Sequence, residues 1–222
     1  MNKLQHAVEE FIDDRALYQN VSKSYLVSKR AFDIAASLAG ILVLSPFFLI
    51  IAAIIKLDSP GPVLFSQDRV GYKGKVFAMY KFRSMVSNAE QLFSEVEKKN
   101  QVSGFMFKVK DDPRVTRFGH FIRRTSIDEL PQLFNVLKGE MSLVGPRPPL
   151  IREVNKYDNW HTLRMSVIPG ITGLWQIRGR NKVGFEEMVR LDLKYIRERN
   201  FFYDLKIIFK TIPVLVGDSK AF

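Results

Sequence analysis

From Ile34 to Ile55 the chain reads IAASLAGILVLSPFFLIIAAII, 22 residues without a charge. As one α-helix the run would be roughly 33 Å long, the thickness of the hydrocarbon core of a bilayer. No other feature restricts the fold as much, because so much apolar surface has to be covered by protein or by lipid. The run exceeds the apolar part of a cleavable signal, and an acidic stretch (Glu9, Glu10, Asp13, Asp14) precedes it where a signal carries positive charge. Pro46 at its centre removes a backbone donor and crowds the preceding turn, so a sharp bend is expected. Lys29 and Arg30 stand before the run and Lys56 after it, with Arg69, Lys73 and Lys75 close behind. Positive charge on both flanks favours the cytoplasmic side for both ends. The expectation is a re-entrant helix-break-helix over residues 29–57, in which the Ser45 hydroxyl bonds a carbonyl freed beside Pro46. One kinked transmembrane helix is the alternative.

Residues 58–222 read as a cytosolic catalytic domain that forms one unit with this segment, preceded by a short amphipathic extension over residues 1–28 (Leu4, Val8, Phe11, Ile12). The extension would pack on the body or on a second copy, which leaves a homodimer open. DSPGP, from Asp58 to Pro62, is a turn cluster, and VLFSQ and KVFAMYKF on either side of VGYKG predict a short hairpin. Residues 84–104 are polar and helix-prone, and a helix is expected from about Glu129 to Lys138. The Gly- and Pro-rich stretches GEMSLVGPRPPL and IPGITGLWQIRGRN read as loops. Residues 185–200 have helical periodicity, with Phe185, Met188, Val189 and Ile196 on one face and Asp192 on the same face. An acid on an apolar stripe is either the buried partner of an arginine or a site residue. In FFYDLKIIFKTIPVLV, Lys206 and Lys210 lie four apart among apolar residues, as in an interfacial amphipathic helix, with a core helix as the rival. The expected class is therefore α+β, mainly helical with a small β-hairpin or sheet, a re-entrant membrane helix and interfacial amphipathic helices.

Against 23 acidic residues stand 34 lysines and arginines, a formal net charge of +11, so the partners should be anionic: nucleic acid, phosphorylated small molecules or a membrane surface. The absence of cysteine excludes disulfides, a thiol nucleophile and cysteine-based metal sites, and His6, His120 and His161 are not spaced as a metal pair. Arg114, Arg117, His120, Arg123 and Arg124 lead straight into SIDELPQL, where Asp128 and Glu129 stand side by side. Nucleic acid is not expected, since the nearby aromatic residues form no stacking platform and acids inside a basic patch would repel the backbone. Ser126 and Glu129 fit a capping box, but Pro131 would then fall where a helical donor is required. Starting the helix at Asp128 puts Pro131 in the first turn and both carboxylates at the positive end of the helix. Adjacent helical residues diverge by about 100°, so the acids should have different roles. An ionised Asp can attack phosphorus, and an ionised Glu can ligate Mg²⁺. Lys81, Arg123, Arg124 and Arg147 are at hand to offset the charge of a diphosphate. The residues alone thus predict phosphoryl chemistry at a membrane surface.

From Lys29 to Leu215 the sequence resembles the bacterial sugar transferases, the monotopic phosphoglycosyl transferases. The resemblance rests on KRAFD, LSP, FSQDRVG, YKFRSM, RRTSIDELPQLFNVLKGEMSLVGPRP, PGITGLWQIRGRN, RLDLKYI and DLKI, in that order. It implies a re-entrant helix bent at Ser45 and Pro46. It also implies transfer of a sugar-1-phosphate from a UDP-sugar to polyprenyl phosphate, with Asp128 as the nucleophile that expels UMP and Glu129 as the acid associated with Mg²⁺. Lys81, Arg123, Arg147 and Asp192 match positions in or around the phosphate and nucleotide site, and Arg178, Gly179, Arg180 and Asn181 a loop near the nucleotide or sugar. The implied location is the bacterial inner membrane, with the catalytic domain facing the cytoplasm. Larger members carry further transmembrane helices and a domain ahead of this unit, so the chain reads as a minimal form. Gly173-Leu174-Trp175-Gln176 stands where relatives commonly have GWAQ, and implies no particular sugar.

Overall fold

A computed structural model of the chain describes residues 21–93, 96, 109, 112–178 and 183–217. Most of the expected N-terminal extension, the greater part of the polar segment after residue 93, and Gly179, Arg180 and Asn181 lie outside the described residues.

Helix α1, Lys23–Asp58, is 36 residues long and begins at Ser22, whose side chain accepts from the Tyr25 amide. It is continuous through Pro46. Proline leaves the carbonyl four residues back without its helical donor, here that of Leu42. The Ser45 hydroxyl donates to that oxygen at 2.9 Å, as expected of it. Two parts of α1 are buried against the rest of the protein: Tyr25, Asp33 and Ser37 in its first half, and Ile51 and Ile55 near its end. The other face exposes Leu38, Leu42, Val43, Leu49 and Ile50.

Strands β1 (Leu64–Val70) and β2 (Val76–Phe82) form the expected antiparallel hairpin, in register from Leu64 opposite Phe82 to Val70 opposite Val76. Its tight connection uses left-handed backbone at Lys73 and Gly74. Helix α2 (Arg117–Arg124) starts at Thr116, which accepts from the Gly119 amide. The acid pair does not open the next helix. Ile127–Glu129 form a 3₁₀ turn, and helix α3 runs over Gln132–Lys138 with Pro131 at its N-cap. Because Pro131 donates nothing, the bonds spanning it are of the shorter kind: Leu130 N–H to the Ile127 carbonyl, Leu133 to Leu130, Phe134 to Pro131.

The stretches expected as loops contain regular structure. Strand β3 (Ser142–Val144) pairs in parallel with β4 (Gly170–Thr172), and between them lie helices α4 (Ile151–Val154) and α5 (Asn159–Thr162) and a 3₁₀ turn, Leu163–Ser166. Three-residue strands are too short to show an alternation, and glycine marks the closest approach of the two backbones. A Cβ on Gly145 would lie 2.6 Å from the Ile168 carbonyl oxygen. Helices α6 (Leu174–Arg178), α7 (Phe185–Glu198) and α8 (Phe201–Gly217) complete the described part. The periodic face of α7 is buried as expected, Asp192 included.

Two apolar clusters hold the acid-pair turn and the C-terminal helices in place. Ile51 and Ile55 of α1 pack with Phe82 of β2, Ile122 of α2 and, at the margin, Ile127 and Leu130, which brings the acid-pair turn against the last turns of α1. Val144, Leu174, Tyr195, Ile196 and Ile207 join β3 to α6, α7 and α8. Helix α8 is two-sided: Asp204 and Ile207 are buried, whereas Phe202, Phe209 and Ile212 are exposed, with Lys206 and Lys210 also exposed.

Candidate active site

Ser126, at φ 56°, holds left-handed backbone that a non-glycine residue rarely adopts, and makes no side-chain cap bond. The capping box is thereby absent. The reversal at Ser126 ends α2 and aims the next turn, in which successive side chains diverge by about 120°. Asp128 points inward, its side chain 10% exposed, and Glu129 outward at 36%. The two side chains thus diverge in the tighter turn, as they would in an α-helix.

Lys81, near the end of β2, reaches both acids, with Nζ 2.7 Å from Glu129 Oε1 and 3.7 Å from Asp128 Oδ2. Its position depends on Asn135, a buried residue of α3. The Tyr80 amide donates to Asn135 Oδ1 at 3.0 Å, and Asn135 Nδ2 donates to the Ala78 carbonyl at 2.8 Å and to Glu140 Oε2 at 2.7 Å. The amide side chain continues the hydrogen bonding of the β2 edge and fastens it to α3. A lone Asn among the apolar residues of PQLFNVLK was the available signal, and sequence reasoning passed over it.

Burial pushes the Asp128 carboxyl up to about 6; Glu129 adds to the rise, while the charges of Lys81 and Arg123 and a backbone hydrogen bond oppose it. The carboxyl is therefore weakly solvated and stands beside a cation. Glu129 is the exposed carboxylate, already facing a cation. Among the described residues no group of three or more His, Cys, Asp or Glu gathers as a metal cage.

Arg147 projects from Gly145–Pro149, where its own side chain is exposed and its neighbours are buried. This loop and the acid pair meet electrostatically at Arg69, whose guanidinium feels both Arg147 and Glu129. Asp192 does not reach Asp128. It forms a buried ion pair with Arg164, and Arg147 is the next charge it feels. The buried arginine partner left open for Asp192 is thus Arg164. Arg178 ends α6, exposed, with its charge felt by Tyr203 of α8. The structure therefore brings Lys81, Asp128, Glu129 and Arg123 together, carries Arg147 to the same field, and sets Asp192 behind Arg147. Arg69 was read only as a flanking charge although it stands in FSQDRVG, and Arg164 was missed because nothing in its sequence neighbourhood distinguishes it from a surface cation.

The sequence pattern of the family described as "Bacterial sugar transferase" matches residues 24–218. A galactosyl transferase of Streptococcus agalactiae is 50% identical over 199 residues, 89% of this chain and 44% of that protein. An exopolysaccharide production protein of Sinorhizobium fredii is 39% identical, with 85% of both chains covered. The undecaprenyl-phosphate galactose phosphotransferase of Salmonella typhimurium is 41% identical over 87% of this chain and 41% of its own. The chain thus spans less than half the length of two of these relatives and most of the third. With a family match over nearly every described element, including the acid pair, Lys81 and Arg147, the chain belongs to the bacterial sugar transferase family.

Proposed function

We propose that the protein transfers a sugar-1-phosphate from a UDP-sugar to polyprenyl phosphate, undecaprenyl phosphate in bacteria, and so begins the assembly of a membrane glycoconjugate such as an exopolysaccharide. The observation that carries this reading is a buried Asp128 carboxyl with Lys81 3.7 Å away, in a chain of this family. An Asp128 oxygen attacks the β-phosphorus of the UDP-sugar, and the bond from that phosphorus to the bridging oxygen breaks. UMP leaves with the bonding pair, and the phosphosugar remains as an acyl phosphate on Asp128. An oxygen of polyprenyl phosphate then attacks the same phosphorus, yields the polyprenyl diphosphate sugar and returns the carboxylate. Lys81 and Arg123 hold Asp128 ionised and offset charge on the phosphoryl oxygens. Glu129 is the residue that would hold Mg²⁺, which when bound supplies positive charge to the diphosphate. Arg147 faces the same anion.

The lipid acceptor requires the site to stand at a membrane. In this reading α1 is re-entrant: its buried residues lie towards its two ends, Tyr25 to Ser37 and Ile51 to Ile55, and pack on the same body, so both flanks belong to the cytoplasmic side. The exposed apolar face of α1 and the outer face of α8 meet lipid, at the bacterial inner membrane.

The test is UMP release from UDP-sugar and Mg²⁺ without lipid, beginning with UDP-galactose because two relatives are named for galactose. A burst of about one equivalent is expected through the covalent step. Asp128→Asn should abolish it, and a fully active Asn variant would refute the assignment. Adding polyprenyl phosphate should convert the burst to turnover with a lipid-linked product; free sugar phosphate in both conditions would make water the acceptor instead.

A further inference from the structure

Residues 145–149, GPRPP, are held along their length by other elements. Three of the five are prolines with fixed φ and no N–H. The Gly145 amide donates to the Thr172 carbonyl at 2.9 Å, the Pro146 carbonyl accepts from the Gly170 amide at 2.9 Å, and the Pro149 carbonyl from the Val70 amide at 2.9 Å. The two carbonyls at the centre accept from arginine side chains instead. Arg164 Nη2 donates to the Arg147 carbonyl at 3.2 Å, and Arg69 Nη1 to that of Pro148 at 3.0 Å.

These two guanidiniums come from separate parts of the fold, β1 and the 163–166 turn, and are 5% and 2% exposed. Burying a guanidinium is costly, and a neutral donor would satisfy a carbonyl for less. Arg164 is compensated by its ion pair with Asp192 and by a 3.0 Å bond to the Tyr157 hydroxyl. Arg69 has no carboxylate within ion-pair distance among the described residues, only Gln67 Oε1 at 2.7 Å. Burial, followed by the charge of Arg147, pushes it down to about 9. Both arginines thus place positive charge beneath a rigid loop whose one outward-facing side chain is Arg147.

We infer that Arg69 and Arg164 are positioning residues that clamp the 145–149 loop so that Arg147 is presented, pre-oriented, to a diphosphate, with Asp192 acting through Arg164 and touching no substrate. The inference rests on the diphosphate chemistry of the proposed function. Neither arginine contacts the reacting atoms; each acts through one backbone carbonyl.

The test is a double-mutant cycle read by calorimetric binding of inorganic pyrophosphate to the full chain in detergent. Arg147→Ala, Arg164→Lys and Arg69→Met should each weaken binding about tenfold. If the clamp acts through Arg147, then adding Arg164→Lys or Arg69→Met to Arg147→Ala should change affinity by less than about twofold. Full losses repeated in the Arg147→Ala background, wild-type affinity in both clamp variants, or no pyrophosphate binding by the wild type would each overturn the inference. Thermal melts identify a clamp variant that fails to fold, and the other arginine then supplies the cycle. UMP release, measured in parallel, separates the two proposals. Coupled pyrophosphate binding without UMP release sinks the transferase reading alone, and UMP release with additive losses sinks the clamp alone.

Discussion

At the scale of single residues, the decisive contrast is between two neighbouring carboxylates. Asp128 faces inward and Glu129 outward, so one is desolvated and the other is partly exposed to solvent. An attacking carboxylate must be ionised, and the rate should therefore fall on the acid side with a midpoint near the Asp128 value of about 6, not near 4 as for an exposed aspartate. Lys81 lowers that value, so Lys81→Met should move the acid limb upward and reduce the rate at neutral pH. A pH–rate profile of UMP release under single-turnover conditions measures both; a limb that stays in place in the variant would contradict the pairing. Asp192 shows how much of a residue's role lies in its partner. From sequence its place on an apolar stripe was visible, but whether it met substrate or an arginine depended on a residue 28 positions away, Arg164.

At the scale of elements, buried and half-buried arginines and lysines join the pieces by binding carbonyls. Arg83 donates to the Pro60 carbonyl and, at 2.6 Å, to that of Ser59 just beyond the end of α1; Arg30 donates to the Leu137 carbonyl at 2.9 Å near the end of α3. Lys29 bonds the Val144 carbonyl at 3.0 Å and Asp204 at 2.9 Å. Sequence reasoning counted Lys29 and Arg30 as flanking charges, whereas the fold employs them as ties between α1, α3, β3 and α8. Asp204 is the centre of one such tie, accepting also from Tyr25 at 2.9 Å and Tyr195 at 2.8 Å. Asp204→Ala removes the acceptor shared by three donors, of which Lys29 and Tyr195 keep the Val144 carbonyl and Tyr25 does not, and should cost about 3 kcal/mol, with the first turns of α1 loosened first. Hydrogen exchange of α1 against a thermal melt checks this, since an unchanged exchange rate at Tyr25 to Asp33 would show that α1 does not depend on the tie. The hairpin and α7 were legible from their periodicity and turn residues; β3 and β4 were not, because a three-residue strand carries no period.

At the scale of the whole molecule, α1 defines the orientation. Its inner side packs on the body near both ends and its outer face is apolar, the face that the proposed function puts against lipid. The chain has no native cysteine, so single-cysteine variants are unambiguous reporters. Lys23→Cys and Leu57→Cys, at exposed positions on the two ends of α1, should both react with an impermeant maleimide from the cytoplasmic side only. Labelling of the two from opposite sides would sink the re-entrant arrangement.

The sequence by itself determined the long apolar helix, the hairpin, the two-faced α7, and the acid pair with its proline, because each is a local pattern of hydrophobicity, charge or missing donors. It also determined that Ser45 would serve the carbonyl left over beside Pro46, a consequence of covalent geometry four residues deep. Only the tertiary structure decided that α1 runs unbroken through that proline, that the acids sit in a 3₁₀ turn, and which cations stand beside the acid pair and which hold the frame. The physical reason is that an arginine has the same sequence signature on a surface, at a substrate or under a loop. Its partner is a carbonyl or carboxylate supplied from a distant segment, and that pairing exists only once the chain has folded.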